Sequence, residues 1–306
     1  MAIRMPAGGR GSGPTIGGVC RAGMQALALL VAGLPRAAEA VALHPIGEGV
    51  GWLEGTSCNL LAVAGRAGVL LVDDQRSSDA RETDAAIEQA YELPIVEVIN
   101  THWHLDHAGG NAHFAQAGAV IVAQRNVAER LKVDQYMSAY NKVVPASPPA
   151  AWPSQSYDRA MTIRFGAETV RLVHVGNAHT DGDTLVKLAH ANVIHMGDVF
   201  FNGIYPFIDL DSGGSIQGLI RAVDAALAMS NARTRFIPGH GAIASRAELA
   251  AYRAMLADVA AKVRRQIRDG QDRAAIVASK PAAAYKLEGD EDRFVAAVFA
   301  GYAPRR

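Results

Sequence analysis

Four side chains able to bind a metal ion fall within six residues, in Thr101-His102-Trp103-His104-Leu105-Asp106-His107. In an extended chain His102 and His104 project to the same side, because side chains alternate with period two. Asp106 and His107 follow where the chain turns toward a helix, so they can converge from a second direction. Imidazole is a borderline-soft ligand that suits zinc, and a carboxylate adds charge for a second cation. Four such groups at one strand end are costly to explain as packing.

Three later segments repeat the pattern of an apolar run followed by a ligand-type residue in a glycine-flanked turn. They are Val173-His174-Val175-Gly176-Asn177-Ala178-His179-Thr180-Asp181-Gly182-Asp183, Val193-Ile194-His195-Met196-Gly197-Asp198 and Phe236-Ile237-Pro238-Gly239-His240-Gly241. Glycine lets the backbone turn sharply or approach a metal without a Cβ clash. Singly none of the three is specific; in this order behind the first motif they are very specific.

The elements that must position these residues alternate between strand and helix. Apolar runs at 59–64 and 68–73, separated by Gly65-Arg66-Ala67, read as a hairpin, and Ser78 is expected to cap a helix reaching Tyr91. A buried strand over Ile95–Asn100 leads into the first motif. A helix near 111–117, a strand at 119–123 and a helix from Asn126 follow, then strands at 162–165, 169–175, 184–189 and 192–196. A helix over Ser215–Met229 precedes a strand at 234–238, and the remainder is helical, with segments 245–269 and 291–300. Such interleaving favours a layered α/β sandwich with helices outside, without a linker long enough to separate two domains. The stretch 136–157 reads as an irregular, proline-stiffened loop whose aromatics suit either a wall over a substrate cleft or a surface excursion held down by those aromatics.

Composition narrows the function. The 306 residues are 50% hydrophobic, which suits a sizeable core, and 30 basic residues balance 30 acidic ones. Zero net charge and the lack of a basic run argue against nucleic acid or a membrane surface as partner. Arg4, Arg10 and Arg21 precede an apolar run over 22–34 that is too short to cross a bilayer and ends at Ala38-Glu39-Ala40. Residues 1–40 therefore read as a secretory signal cleaved after Ala40, with Met5 and Met24 as alternative starts. The remaining domain, 41–306, would carry a charge of about −3 and act in the periplasm or outside the cell; the alternative is a cytoplasmic protein with an N-terminal extension. Cleavage removes Cys20 and leaves Cys58 alone in an apolar stretch, where an inert thiol is expected.

With these motifs in this order, residues 45–242 resemble the metallo-β-lactamase fold superfamily of metallohydrolases. The resemblance implies a four-layer αββα sandwich with a helical C-terminal extension over 245–306 and a two-metal site at the edge between its sheets. It places His102, His104 and His179 on a first zinc, Asp106, His107 and His240 on a second, and Asp198 between them. Aspartate at 198 looks more like glyoxalase II, the lactonases and the phosphodiesterases than the familiar zinc β-lactamases. The text around His179–Asp183 and Pro206-Phe207-Ile208-Asp209 resembles exported bacterial β-lactamase-like proteins.

The function implied by the resemblance is that of an exported di-zinc hydrolase. It would open an amide, lactam, ester or lactone bond with a metal-bridging hydroxide, oriented by Asp106. Iron or manganese can occupy similar donor sets. The alternatives are a thioester hydrolase resembling glyoxalase II and an iron-dependent sulfur dioxygenase. Asn202 and Tyr205 are expected near the substrate as oxyanion donors. Asp73 and Asp181 are expected to orient ligating imidazoles, and His174 and His195 to donate to backbone or carboxylates.

Overall fold

Residues 42–303 are described by the structure, a computed structural model. The export signal expected over 1–40 and its cleavage point lie outside the described residues. The first sheet takes β1 (Ala42–Gly47), β2 (Val50–Glu54), β3 (Asn59–Ala64), β4 (Val69–Val72), β5 (Ile95–Asn100) and β6 (Val120–Gln124) in chain order. Strands β1 to β4 pair antiparallel through short turns. From β4 to β6 the pairing is parallel, and parallel neighbours need a crossover. Helix α1 (Ala80–Tyr91) supplies the first crossover, and α2 (Leu105–Ala108) with α3 (Asn111–Gln116) the second. Asp79, not Ser78, occupies the N-cap of α1, and the Ser78 hydroxyl donates to it instead.

After α4 (Arg125–Arg130) the stretch expected to be irregular is built structure. It holds a hairpin of β7 (Gln135–Met137) and β8 (Lys142–Val144), joined through a 3-10 turn at Ser138–Tyr140. Strand β9 (Gln155–Tyr157) then extends the first sheet beside β6. Each of β7, β8 and β9 has three residues, too few for an alternation to show, and Pro145, Pro148, Pro149 and Pro153 occupy the link from β8 to β9.

The second sheet runs β10 (Ala160–Phe165), β11 (Glu168–His174), β12 (Thr184–Leu188), β13 (Val193–His195), β14 (Arg235–Ile237) and β15 (Ala244–Ser245). Its one parallel pair, β13 with β14, is bridged by α5 (Ile216–Ala228). The chain finishes in α6 (Arg246–Arg268), α7 (Arg273–Ala278) and α8 (Glu291–Tyr302). A reciprocal Ser245–Glu248 capping box starts α6, and Gly270 at φ +81° turns the chain out of it.

Alternation along the strands builds the layers. Leu61, Val63, Leu70 and Val72 face Val170, Leu172, Val186 and Ile237 between the two sheets. Their neighbours Leu60, Ala62 and Leu71 point the other way, onto Ile87 of α1 and Phe114 of α3. On the outer face of the second sheet, Leu185, Ile194 and Phe236 pack under α5, α6 and α8 through Leu219, Leu256 and Phe294. The result is the αββα sandwich with a helical C-terminal part that the resemblance implied. The connections following β5, β11, β13 and β14 carry all the ligand-type motifs.

Candidate metal centre

The first motif leaves β5 into a clasped turn. Asn100 and Asn111 exchange side-chain hydrogen bonds at 3.0 and 2.9 Å, and Asn100 also donates to the His107 carbonyl. Thr101 donates its backbone N–H and its hydroxyl to the two oxygens of Asp73, at 2.7 and 2.8 Å. Its carbonyl accepts from Thr184 of the second sheet, so the two sheets are tied beside the ligands. Gly197, at φ +49°, leaves room for the Thr101 side chain, and a Cβ on Gly239 would overlap the Asp198 carboxylate.

Two donor clusters result. His102, His104, His179 and Asp198 form one, and Asp106, His107 and His240 the other, with ligand atoms within 4.8 Å of one another in each. Asp198 lies between them. Its Oδ2 is 3.4 Å from His179 Nε2 and 3.8 Å from His102 Nε2, while its Oδ1 is 3.1 Å from His107 Nε2 and 3.3 Å from His240 Nε2. Asp106 Oδ2 lies 3.4 Å from His240 Nε2 and 3.7 Å from His107 Nε2. Tetrahedral ligands at zinc distances of about 2.0–2.1 Å stand roughly 3.3 Å apart, so the spacing fits. The donor chemistry fits as well, for His102 Nε2, His107 Nε2 and Asp198 Oδ1 are buried without a hydrogen-bond partner. Such groups are costly to leave unpaired.

Hydrogen bonds on the far side of three of the rings decide which nitrogen faces the centre. His107 donates through Nδ1 to Asp73 at 2.8 Å, which frees Nε2. His179 donates through Nδ1 to the Phe207 carbonyl at 2.8 Å, again freeing Nε2. His104 is reversed: Nε2 donates to Asp209 at 2.9 Å, and Nδ1 lies 2.9 Å from His179 Nε2. Aromatic rings enclose the donors. Trp103 and Phe207 contact His104, and Phe201 stacks on His240 at 5.3 Å.

The two clusters differ in charge. Burial keeps His102 well below the usual imidazole range, and burial takes His179 to about 4 against the pull of Asp198. For His240 burial works the other way from its neighbours, and the Asp198 and Asp106 carboxylates prevail, raising it to about 9. His107 is likewise driven well above its usual value, where burial is outweighed by the neighbouring Cys58 and by Asp198, Asp73 and Asp106. Burial also resists ionisation of Asp198 and Asp106, yet adjacent imidazoles hold Asp198 well below the carboxylate range and Asp106 at about 2. Burial pushes the Cys58 thiol up to about 12, consistent with an inert core residue.

All seven ligand-type residues named from the motifs converge. Asp73 orients His107 as expected, but Asp181 does not serve His179. It is held by Arg130 at 2.7 and 2.8 Å, and Asp183 instead accepts from the backbone N–H groups of His179 and Thr180, at 2.6 and 2.9 Å. His174 and His195 bond to backbone carbonyls, of Asp183 and Asn59. His44, His113 and His190 lie against Trp52, Asp84 and Glu168.

Both expected oxyanion donors have partners outside the donor clusters. The Asn202 amide donates to the Ala242 carbonyl and braces the His240 loop. Tyr205 is packed against Phe294, with its hydroxyl donating to the Ala282 carbonyl. Two residues of the site went unforeseen. Asp209 orients His104, and its only signal is an acid in the segment 206–209. Asn59 donates to the carbonyls of Pro238 and Gly241, bracketing His240 from 179 and 182 positions away; no local pattern marks it.

Comparison with known proteins agrees with this geometry. The family profile described as the metallo-beta-lactamase superfamily matches residues 54–240. A hydroxyacylglutathione hydrolase of Erythrobacter litoralis is 30% identical over 108 residues, covering 35% of this chain and 35% of that protein. The alpha subunit of 2,4-dinitroanisole O-demethylase of Nocardioides sp. is 29% identical over 145 residues, 47% of this chain and 41% of the subunit. The matched segments thus span less than half of either relative. Among solved structures, a metallo-beta-lactamase from Pontibacter korlensis aligns at TM-score 0.58 and 16% identity, over 71% of this chain and 99% of its own. The sec-alkylsulfatase Pisa1 from Pseudomonas sp. aligns at TM-score 0.65 and 17% identity, over 86% and 50%. At these identities the likeness of the solved structures is one of fold. Taken with the family match over more than half its length, the chain belongs to the metallo-beta-lactamase superfamily of metallohydrolases.

Proposed function

We propose that the chain is a two-metal hydrolase that opens an ester, lactone, amide or lactam bond of a small molecule, with zinc favoured by its imidazole-rich donors. The observation that carries this reading is the Asp198 carboxylate, which offers one oxygen to each donor cluster. A cation pair held there would supply a Lewis acid and a water that ionises near neutral pH. His102, His104 and His179 would hold one ion, Asp106, His107 and His240 the other, and Asp198 both. The Asp106 side chain is about a quarter exposed, whereas that of Asp198 is buried. Ionised at neutral pH, the Asp106 carboxylate can orient the attacking water and take up its proton. Trp103, Phe201 and Phe207 exclude solvent around the donors, which strengthens their electrostatic interactions.

A second reading, thioester hydrolysis, is favoured by the hydroxyacylglutathione hydrolase relative and by the helical C-terminal part. The names of the O-demethylase and alkylsulfatase widen the range of C–O bonds worth testing. Metal analysis followed by assay of the zinc-loaded protein on a cephalosporin, a lactone, a thioester and a phosphodiester tests these readings. One iron per chain and no zinc would instead favour the dioxygenase. The proposal includes export with cleavage after Ala40, so a periplasmic sample should begin at Val41 on N-terminal sequencing.

A further inference from the structure

Among the described residues, five of the seven exposed large hydrophobic side chains lie on the β7–β8 hairpin and its approach (Val133, Tyr136, Tyr140 and Val143) and on the loop that its tip touches (Leu210); the other two are Leu105 of α2 and Val120 of β6. Soluble proteins seldom leave such residues grouped without a use.

The hairpin is fixed at both ends. At its base Arg130 donates to Gln135 while holding Asp181 of the His179 turn. At its tip the Ser138 N–H donates to Asp211 at 2.6 Å. The Tyr140 ring meets Phe207 edge-on at 5.5 Å, and the Arg293 guanidinium of α8 covers the Tyr140 ring at 4.4 Å. Phe207 in turn stacks on His104 at 6.0 Å and meets the edge of His179 at 5.7 Å. A continuous ring-to-ring path therefore joins the exposed hairpin to the first donor cluster.

We propose that the hairpin and the Phe207–Leu210 loop form a specificity subsite for an apolar acyl or aryl portion of the substrate, with Tyr140 and Phe207 as its selecting residues. This rests on the hydrolase reading and adds the substrate class to it. The occupant is assigned to the substrate because the surface is continuous, through Phe207, with rings that carry the metal donors. Of the charged groups at this surface, Asp211 is engaged by the Ser138 N–H and Arg293 by Tyr140 with Asp290, while Lys142 of β8 is exposed on the hairpin itself.

The test is a calorimetric titration of the zinc-loaded protein with acetate, butyrate, hexanoate, octanoate and phenylacetate, which imitate a carboxylate product and need no turnover. Affinity should rise about two- to fourfold for each methylene that reaches the wall, since a fully buried one is worth about fourfold. Tyr140→Ala should flatten that rise to within twofold across the series at an unchanged metal content. Leu210→Ser, at a second exposed position, should flatten it in part. A flat series in the unaltered protein, or a steep one that both variants retain, overturns the proposal. So does a concentration-dependent dimer that Tyr140→Ala abolishes, because the surface would then serve a second copy of the chain. Failure of the hydrolase reading shows separately, as no turnover on the substrate panel while the binding series stays steep.

Discussion

Replacing Asp209 by asparagine isolates one carboxylate whose only route to the centre is a histidine ring. Asp209 Oδ2 accepts from His104 Nε2 at 2.9 Å and from the Ser212 hydroxyl, while Oδ1 accepts from the Ser212 N–H at 3.1 Å. Burial works against its charge, yet the bond from His104 holds the carboxyl at about 2. An amide of the same shape cannot reproduce this pattern. If its oxygen serves His104, its NH2 group faces the Ser212 N–H, donor against donor. Leaving a buried donor unpaired costs about 1–3 kcal/mol of stability. Loss of the charge behind a ligating imidazole lowers metal affinity about 10–100-fold, which is about 1.4–2.7 kcal/mol at 1.36 per decade. His102 and His179 are neutral in the metal-free protein near pH 7, so their cluster should fill first. Stepwise zinc constants from competition with a chromophoric chelator should therefore show the tighter step weakened by that factor and the weaker step nearly unchanged. A tighter constant within twofold of the original, or equal weakening of both, would refute the idea that Asp209 acts through His104.

Other consequences arise from the same geometry. Asp106→Asn should slow turnover about 10²–10⁴-fold while the tighter metal stays bound, read by steady-state kinetics beside metal analysis. His240 at about 9 is protonated at pH 7 in the metal-free protein, so its raised value favours the metal-free state below pH 9. Filling the second cluster should release at least one proton at pH 7, seen by calorimetry in buffers of different ionisation enthalpy, and affinity there should rise with pH until about 9. Gly239→Ala should displace the Asp198 carboxylate and reduce the bound metal below two per chain, whereas a full complement would show that the loop yields.

The chemistry was legible because metal binding demands particular side chains, and a strand end presents them at short, fixed spacing. His102, His104, Asp106 and His107 fall within one turn of chain, and each remaining ligand follows its own apolar strand. The layers were legible for a similar local reason, since buried strands and amphipathic helices must show their periods. Where periodicity fails, the reading failed too. The strands around 136–157 have three residues each, too few to show a period, while β1 is interrupted by Pro45 and β2 by Gly51.

The sequence by itself pointed to the candidate donors, to most of the alternation of strand and helix, and to the family. Only the tertiary structure decided which acid supports which ring. Asp181 sits two residues from His179 but belongs to Arg130, while Asp209 reaches His104 from 105 positions away. It also placed Tyr205 in the C-terminal core and Asn59 against the His240 loop. Hydrogen bonding depends on distances of about 3 Å and on direction, and across a hundred residues those are set by how the two sheets pack rather than by any local pattern.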